Sequence, residues 1–163
     1  VDRRLTLDLA SIIDELQVRP GEPITVVVNT SGGLASQGLA SYDLLRHSGF
    51  KIRTVILGEV ASAGLAIALA GQERLIYPNA LLHFHATAME FRKPKEVIEQ
   101  QEELIQREQI RKIDELYYKI FTENTELTRA KLRKLELNEI FLNATEALKM
   151  GLVHKIIEDT FTL

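Results

Sequence analysis

Residues 52–71 read IRTVILGEVASAGLAIALAG and pass from one buried element almost directly into another. The run from Ile52 to Leu57 is apolar and β-branched without alternation, which suits a strand covered on both faces. A turn centred on Gly58 should end this strand. From Ser62 to Gly71 the residues are apolar on every side, which predicts a helix inside the protein.

The preceding residues complete a strand, helix, strand unit. Residues 24–29 form a second β-branched run, and residues 35–46 have a helical pattern. This order implies parallel pairing, so we predict an α/β fold. An amphipathic helix over residues 5–16 should come first and stop before Pro20-Gly21.

The residues after the core helix predict mostly helix. Two short extended pieces, 75–77 and 81–85, flank a turn at Pro78-Asn79. A long amphipathic helix follows over about 94–121. Thr128 is a plausible N-cap for a short helix, another helix runs over 145–150 with Gly151 as its stop, and 152–157 form a last strand.

Composition narrows the classes of protein. A chain of 163 residues with 45% hydrophobic content fits one domain, 1–163, with a real core. The net charge of −3 gives no indication that the chain binds nucleic acid or an anionic membrane. The absence of cysteine excludes disulfides and thiolate catalysis and favours a cytosolic location. The apolar stretch 61–70 is too short to span a bilayer, and no basic-then-apolar leader opens the chain.

Ser62 is the first candidate for chemistry, because it stands where a buried helix begins. Backbone N–H groups and the positive end of the helix dipole would stabilise a developing oxyanion there. Its neighbours Ala61, Ala63 and Gly64 leave room for a substrate carbonyl. On position alone, a serine that only caps the helix remains an open alternative.

Two further motifs accompany it. Gly32-Gly33 follows a strand end, where residues without Cβ expose N–H groups to a ligand or only allow a tight turn. His83 and His85 should share one face of an extended segment. One of them could be a general base, a hydrogen-bonded structural histidine or half of a His-x-His metal pair, although local spacing supplies no third ligand.

In this order, the motifs resemble the Clp proteolytic-subunit (ClpP) family. Residues 29–33, NTSGG, and 38–43, GLASYD, are similar to N-S-P-G-G and G-x-x-x-Y-D of that family. Residues 58–64, GEVASAG, resemble G-x-A-A-S-M-G. Residues 78–85, PNALLHFH, match P-N-A/S-x-x-M-I-H and place the family histidine on His85 rather than His83. Residues 141–153, FLNATEALKMGLV, resemble the family's ending, F-L-S-A-x-E-A-x-x-Y-G-L-V-D.

The resemblance implies a serine endopeptidase that cleaves unfolded polypeptides or peptides through an acyl-enzyme. Ser62 would be the nucleophile, His85 the base, and the N–H groups of Gly33 and Ala63 the oxyanion hole. It also implies a ClpP/crotonase-type spiral of strand-strand-helix units, with 94–121 as a projecting handle. The partners implied are other copies of the chain in a heptameric ring and an AAA+ ATPase unfoldase; no cofactor or metal is expected.

Several positions depart from the family pattern. The position of the family's third catalytic residue, an aspartate, is Glu139 here. A longer carboxylate can still orient an imidazole, and a surface carboxylate without a role in the site is the open alternative. Ser31 replaces a proline, and the Q-P-x-G-G stretch after the histidine becomes residues 86–90, ATAME. A catalytically inactive scaffold subunit and a crotonase-like enzyme acting on coenzyme A thioesters are therefore the alternative functions.

Overall fold

Helices and strands alternate through the first half of the chain, as the patterns predict. The computed structural model describes residues 1–16, 23–86 and 97–158, without the side chains of 97–100 and 102. Its elements in chain order are α1 (Arg3–Leu16), β1 (Ile24–Thr30), α2 (Ala35–Arg46), β2 (Ile52–Ala61), α3 (Ala63–Leu69), β3 (Glu73–Ile76), β4 (Leu81–His83), α4 (Val97–Asn124), α5 (Arg129–Leu137), β5 (Phe141–Asn143), α6 (Ala144–Lys149) and β6 (Lys155–Ile156).

One sheet organises these elements around β2. Strand β1 pairs with β2 in parallel, starting at Ile24 opposite Ile52. Strands β3 and β4 also pair with β2 in parallel, and β6 pairs with β3. Strand β5, which the patterns do not predict as a strand, is antiparallel to β4. The predicted α/β class and the parallel pairing are confirmed.

The predicted turn at Gly58 is wrong, because β2 continues through it to Ala61. Gly58 has a φ of 65°, and the pairing with β1 shifts register between Val28 and Thr30, which pair with Ile56 and Val60. The irregularity is a bulge inside one strand, and glycine accommodates the positive φ that it requires. Residues 53–56 consequently pair with β3, whereas 59–61 pair with β4.

Helix α3 is the interior helix that the sequence predicts. All of its residues, Ala63 to Leu69, are buried. It belongs to a core cluster that also includes Val28 of β1, Leu82 of β4 and Phe121 of α4. The first residue of α3 is therefore fixed between the sheet on one side and α4 on the other.

The later helices differ from their predicted bounds by a few residues. Helix α4 is described from Val97 and continues to Asn124, beyond the predicted end at 121; positions 94–96 lie outside the described residues. Thr128 caps α5 as predicted, accepting a hydrogen bond from the Lys131 N–H at 3.3 Å. No helix in the described part of the chain is long and apolar enough to cross a membrane.

Candidate active site

Ser62 lies in a strained turn between β2 and α3. Its φ of 53° and ψ of −124° place a residue other than glycine in a sparsely populated conformation. The Ser62 side chain makes no capping hydrogen bond with α3, so the capping alternative is wrong. A strained strand-to-helix turn that leaves a hydroxyl free is the setting of a nucleophile in many hydrolases.

The Gly32-Gly33 turn packs directly against Ser62. Gly32 has a φ of 98°, and a β-carbon there would lie 2.6 Å from Cβ of Ser62 and 3.3 Å from the Ala63 nitrogen. The backbone of this turn is thus next to the first N–H groups of α3. As the first residue of the helix, Ala63 has an N–H without an intrahelical acceptor. Gly33, the next residue of this turn, and Ala63 therefore lie on neighbouring segments.

His85 follows β4 and is held near Ser62 by backbone pairing. The Ser62 N–H donates to the carbonyl of His83 at 3.3 Å, and the Phe84 N–H donates to Ile140 at 2.9 Å. Nδ1 of His85 lies 2.9 Å from the carbonyl oxygen of Ala86. Because a carbonyl only accepts, Nδ1 is the donor, and the neutral ring leaves Nε2 as an acceptor for a hydroxyl proton.

A cavity of about 340 Å³ brings these residues together. Ser62, Ala63, Gly33 and His85 all line it. Much of the remaining wall is apolar or aromatic and comes from α3, α4 and the start of α2: Leu34, Leu65, Ile110, Ile113, Tyr117 and Phe121. Ser62, His85, Gly33 and Ala63 thus border one space beside a largely apolar wall.

His83 lies outside the cavity that His85 lines. It is the last residue of β4, and its ring stacks on Phe141 of β5 with centroids 3.8 Å apart. Its Nδ1 is 3.7 Å from a carboxylate oxygen of Glu59. His83 does not line the cavity, and within the described residues no group of three or more potential ligands is placed to hold a metal ion.

Glu139 lies close to His85 along the backbone but outside the cavity. Extending the pairing of β4 with β5, which sets His83 opposite Phe141, places Glu139 across from His85. Glu139 has a φ of 48° at the end of α5, its N–H donates to Glu136, and its side chain is exposed. It is not among the residues that line the cavity.

Glu136, which the sequence motifs do not single out, lines the cavity with Ser62 and His85. Its carboxylate accepts a hydrogen bond from the Tyr118 hydroxyl at 2.9 Å. Burial raises the pKa of Glu136, and the nearby Asp114 raises it further, while the Tyr118 hydrogen bond and the charges of His85 and Arg133 lower it. The signal in the sequence that points to Glu136 is its position four residues after Leu132, because residues at this spacing lie on the same face of a helix and Leu132 is fully buried.

Comparison with known proteins decides the family. The model of the Clp protease family matches residues 6–160. The chain belongs to the Clp protease family. The resemblance drawn from the motifs is therefore confirmed.

The names of two curated relatives agree with this family. This Clp-family chain is 31% identical over 159 residues to an ATP-dependent Clp protease proteolytic subunit 2 from Pseudomonas aeruginosa, covering 96% of the chain and 77% of that protein. It is 28% identical over 143 residues to the ATP-dependent Clp protease proteolytic subunit from Deinococcus radiodurans, covering 86% of the chain and 68% of that protein.

Solved structures confirm the fold of this Clp-family chain. A point mutant of ClpP1 from Listeria monocytogenes superposes with a TM-score of 0.85 at 25% identity, covering 98% of this chain and 87% of that one. ClpP1 from the same organism superposes with a TM-score of 0.74 at 26% identity, covering 98% and 88%.

Proposed function

We propose that the chain is a serine endopeptidase subunit with Ser62 as nucleophile and His85 as general base. The observation that carries the proposal is one shared cavity. It is lined by Ser62, which is strained and does not cap α3 with its side chain, by His85, and by the segments of Gly33 and Ala63. A serine that only capped the helix would not explain why these features occur together. Membership of a family whose curated relatives are named proteolytic subunits supports the same activity.

The chemistry follows the geometry. Nε2 of His85 accepts the hydroxyl proton while Oγ of Ser62 attacks the peptide carbonyl carbon. The N–H groups of Gly33 and Ala63 donate to the oxyanion. Collapse of the tetrahedral intermediate breaks the C–N bond, and His85 returns the proton to the leaving amine. Water, activated by His85 in the same way, then hydrolyses the acyl-enzyme ester and frees Ser62. In this scheme Glu139 orients the imidazole, as its register opposite His85 suggests.

The cavity and the exposed apolar surface support a polypeptide substrate and an assembly. An apolar wall beside Ser62 suits a hydrophobic side chain of an unfolded chain. Helix α4 exposes Leu104, Ile105 and Leu116, a surface that another copy could cover. We therefore include in the proposal an ATPase partner, as the words ATP-dependent in the names of the relatives suggest. It also includes the heptameric ring, the ring pairing through α4 and the cytosolic location expected from the sequence.

An activity-based probe tests the proposal. Purified, assembled protein treated with a fluorophosphonate should gain the probe mass on Ser62, as read by peptide mass spectrometry. The rate should fall by about 100-fold or more in His85→Gln, because the base is lost. Ser62→Ala should show no label at this peptide. Folded, assembled wild-type protein that stays unlabelled would contradict the proposal.

Two observations favour an inactive scaffold as the second candidate. The His85 Nδ1 donates to the Ala86 carbonyl, and Glu139 is exposed outside the cavity. If Ser62→Ala leaves every measured peptidase activity unchanged while assembly persists, the scaffold function explains the chain better.

A further inference from the structure

We propose that Glu136 is the carboxylate that stabilises His85 in its protonated form, acting as a positioning residue for the reaction. The inference rests on the proposed function, because it concerns the same histidine. The role of Glu136 differs from the one proposed for Glu139, which lies at the end of α5.

Glu136 and Glu139 differ in where their side chains lie. Glu136 lines the cavity together with His85 and is partly buried, whereas Glu139 is exposed and does not line it. The attraction between opposite charges grows as the effective dielectric constant falls, and water and salt screen an exposed charge. At the same distance, the partly buried carboxylate of Glu136 is therefore screened less from a cationic imidazole than the exposed carboxylate of Glu139.

The Glu136 carboxylate is also held in place. The Tyr118 hydroxyl on α4 donates to Oε2 at 2.9 Å, and the guanidinium of Arg129 lies 4.8 Å from the centroid of the Tyr118 ring. The Glu136 carbonyl accepts the Glu139 N–H at 3.2 Å, which closes the end of α5. A carboxylate fixed in this way can support a neighbouring charge without reorganising during the reaction.

The charges around Glu136 come from three segments. Asp114 and Tyr118 belong to α4, Arg133 belongs to α5, and His85 follows β4. Asp114 also lines the cavity and opposes the ionisation of Glu136, whereas His85 and Arg133 favour it. When His85 accepts the Ser62 proton, the pair becomes an imidazolium facing a carboxylate, and the transition state gains that attraction.

The decisive variants are Glu136→Gln and Glu139→Gln, which each remove one charge and keep the side-chain size. We expect Glu136→Gln to slow fluorophosphonate labelling of Ser62 by about tenfold at neutral pH. The midpoint of the acid limb of the rate profile should move to lower pH, because the imidazolium loses its counter-charge. Glu136→Asp, which keeps the charge, should recover part of the rate.

Glu136→Gln should fold. Burial raises the pKa of Glu136, so the folded state favours the neutral form, and this contribution to stability is lost as pH rises through the folded pKa. A neutral amide at this site therefore keeps at neutral pH the stability that the ionised acid loses. A slower reaction in this variant is then an effect on the site, which circular dichroism and the elution volume of the assembly would verify.

A second readout is independent of activity. The His85 ring can be titrated by NMR in histidine-labelled protein, with its signal assigned by loss in His85→Gln. Its titration midpoint should fall further in Glu136→Gln than in Glu139→Gln. Unchanged labelling and an unchanged midpoint in Glu136→Gln would overturn this inference while leaving the peptidase proposal intact. A shifted midpoint in protein that never labels Ser62 would overturn the peptidase proposal and keep the pairing.

Discussion

At the residue scale, Gly32 and Ser62 are in such close contact that a methyl group at position 32 should displace the proposed nucleophile. The β-carbon of Gly32→Ala would lie 2.6 Å from Cβ of Ser62 and 2.8 Å from the Ala61 carbonyl oxygen, at a φ of 98°. Displacement of a reacting group by about 1 Å costs on the order of 100-fold in rate. We expect Ser62 labelling to fall by about that factor in Gly32→Ala, measured by the fluorophosphonate rate.

Gly49→Ala is the matched control. Gly49 has a φ of 83°, yet a β-carbon there would meet nothing within 4 Å. Both substitutions therefore carry the backbone strain of a positive φ, about 1–2 kcal/mol, but only Gly32→Ala adds a clash at the site. Gly49→Ala should lose stability in a urea titration and keep its labelling rate. Equal losses of labelling in the two variants would show that the contact with Ser62 is not the cause.

At the scale of elements, Arg74 of β3 joins segments that are distant in sequence. Its buried guanidinium donates to the carbonyls of Leu152 at 2.8 Å, Asn124 at 2.7 Å and Gly151 at 3.0 Å. These bonds link β3 to the end of α4 and to the segment after α6. Lysine keeps the charge but lacks the fork of donors, so Arg74→Lys should lower the free energy of unfolding by about 2–4 kcal/mol.

Urea-induced unfolding followed by circular dichroism measures this loss, with Arg53→Lys as the control. Arg53 lies on β2 and pairs with Glu73, the neighbour of Arg74, through a partly exposed ion pair. Exposed pairs contribute little, so the control should change stability by less than about 1 kcal/mol. A loss in Arg53→Lys as large as in Arg74→Lys would indicate that the carbonyl cluster around Arg74 is not what joins these segments.

The elements also show what local sequence can predict here. Periodicity located α2 at its observed bounds, and the unbroken apolar pattern identified α3 as an interior helix. Local sequence failed where the answer depends on distant pairing: β2 passes Gly58 because β1 and β4 hold it on both sides. Motif register predicts Ser62 and His85 as site residues, and both line one cavity. The place of Glu136 in the same cavity depends on how α5 packs against α4, which no local motif encodes.

At the scale of the whole molecule, the exposed apolar side chains of α4 determine which assembly we expect. Leu104 is 67% exposed and Ile105 is 60% exposed, although each could bury apolar surface worth on the order of 1.5–3 kcal/mol. If α4 pairs two rings, placing charges there should separate the rings without dissolving each one. We expect the double variant Leu104→Asp, Ile105→Asp to show half the wild-type mass in sedimentation velocity at the same protein concentration.

Thr122→Asp is the control for this last prediction. It adds a carboxylate to an exposed position of the same helix, about five turns beyond Leu104 and next to the exposed Glu123. This variant should keep the full mass, since a charge alone at that distance does not enter the apolar surface. The ring-pairing role of α4 would be wrong if the double variant kept the wild-type mass. A fall to single chains would instead place Leu104 and Ile105 within the contacts that form each ring.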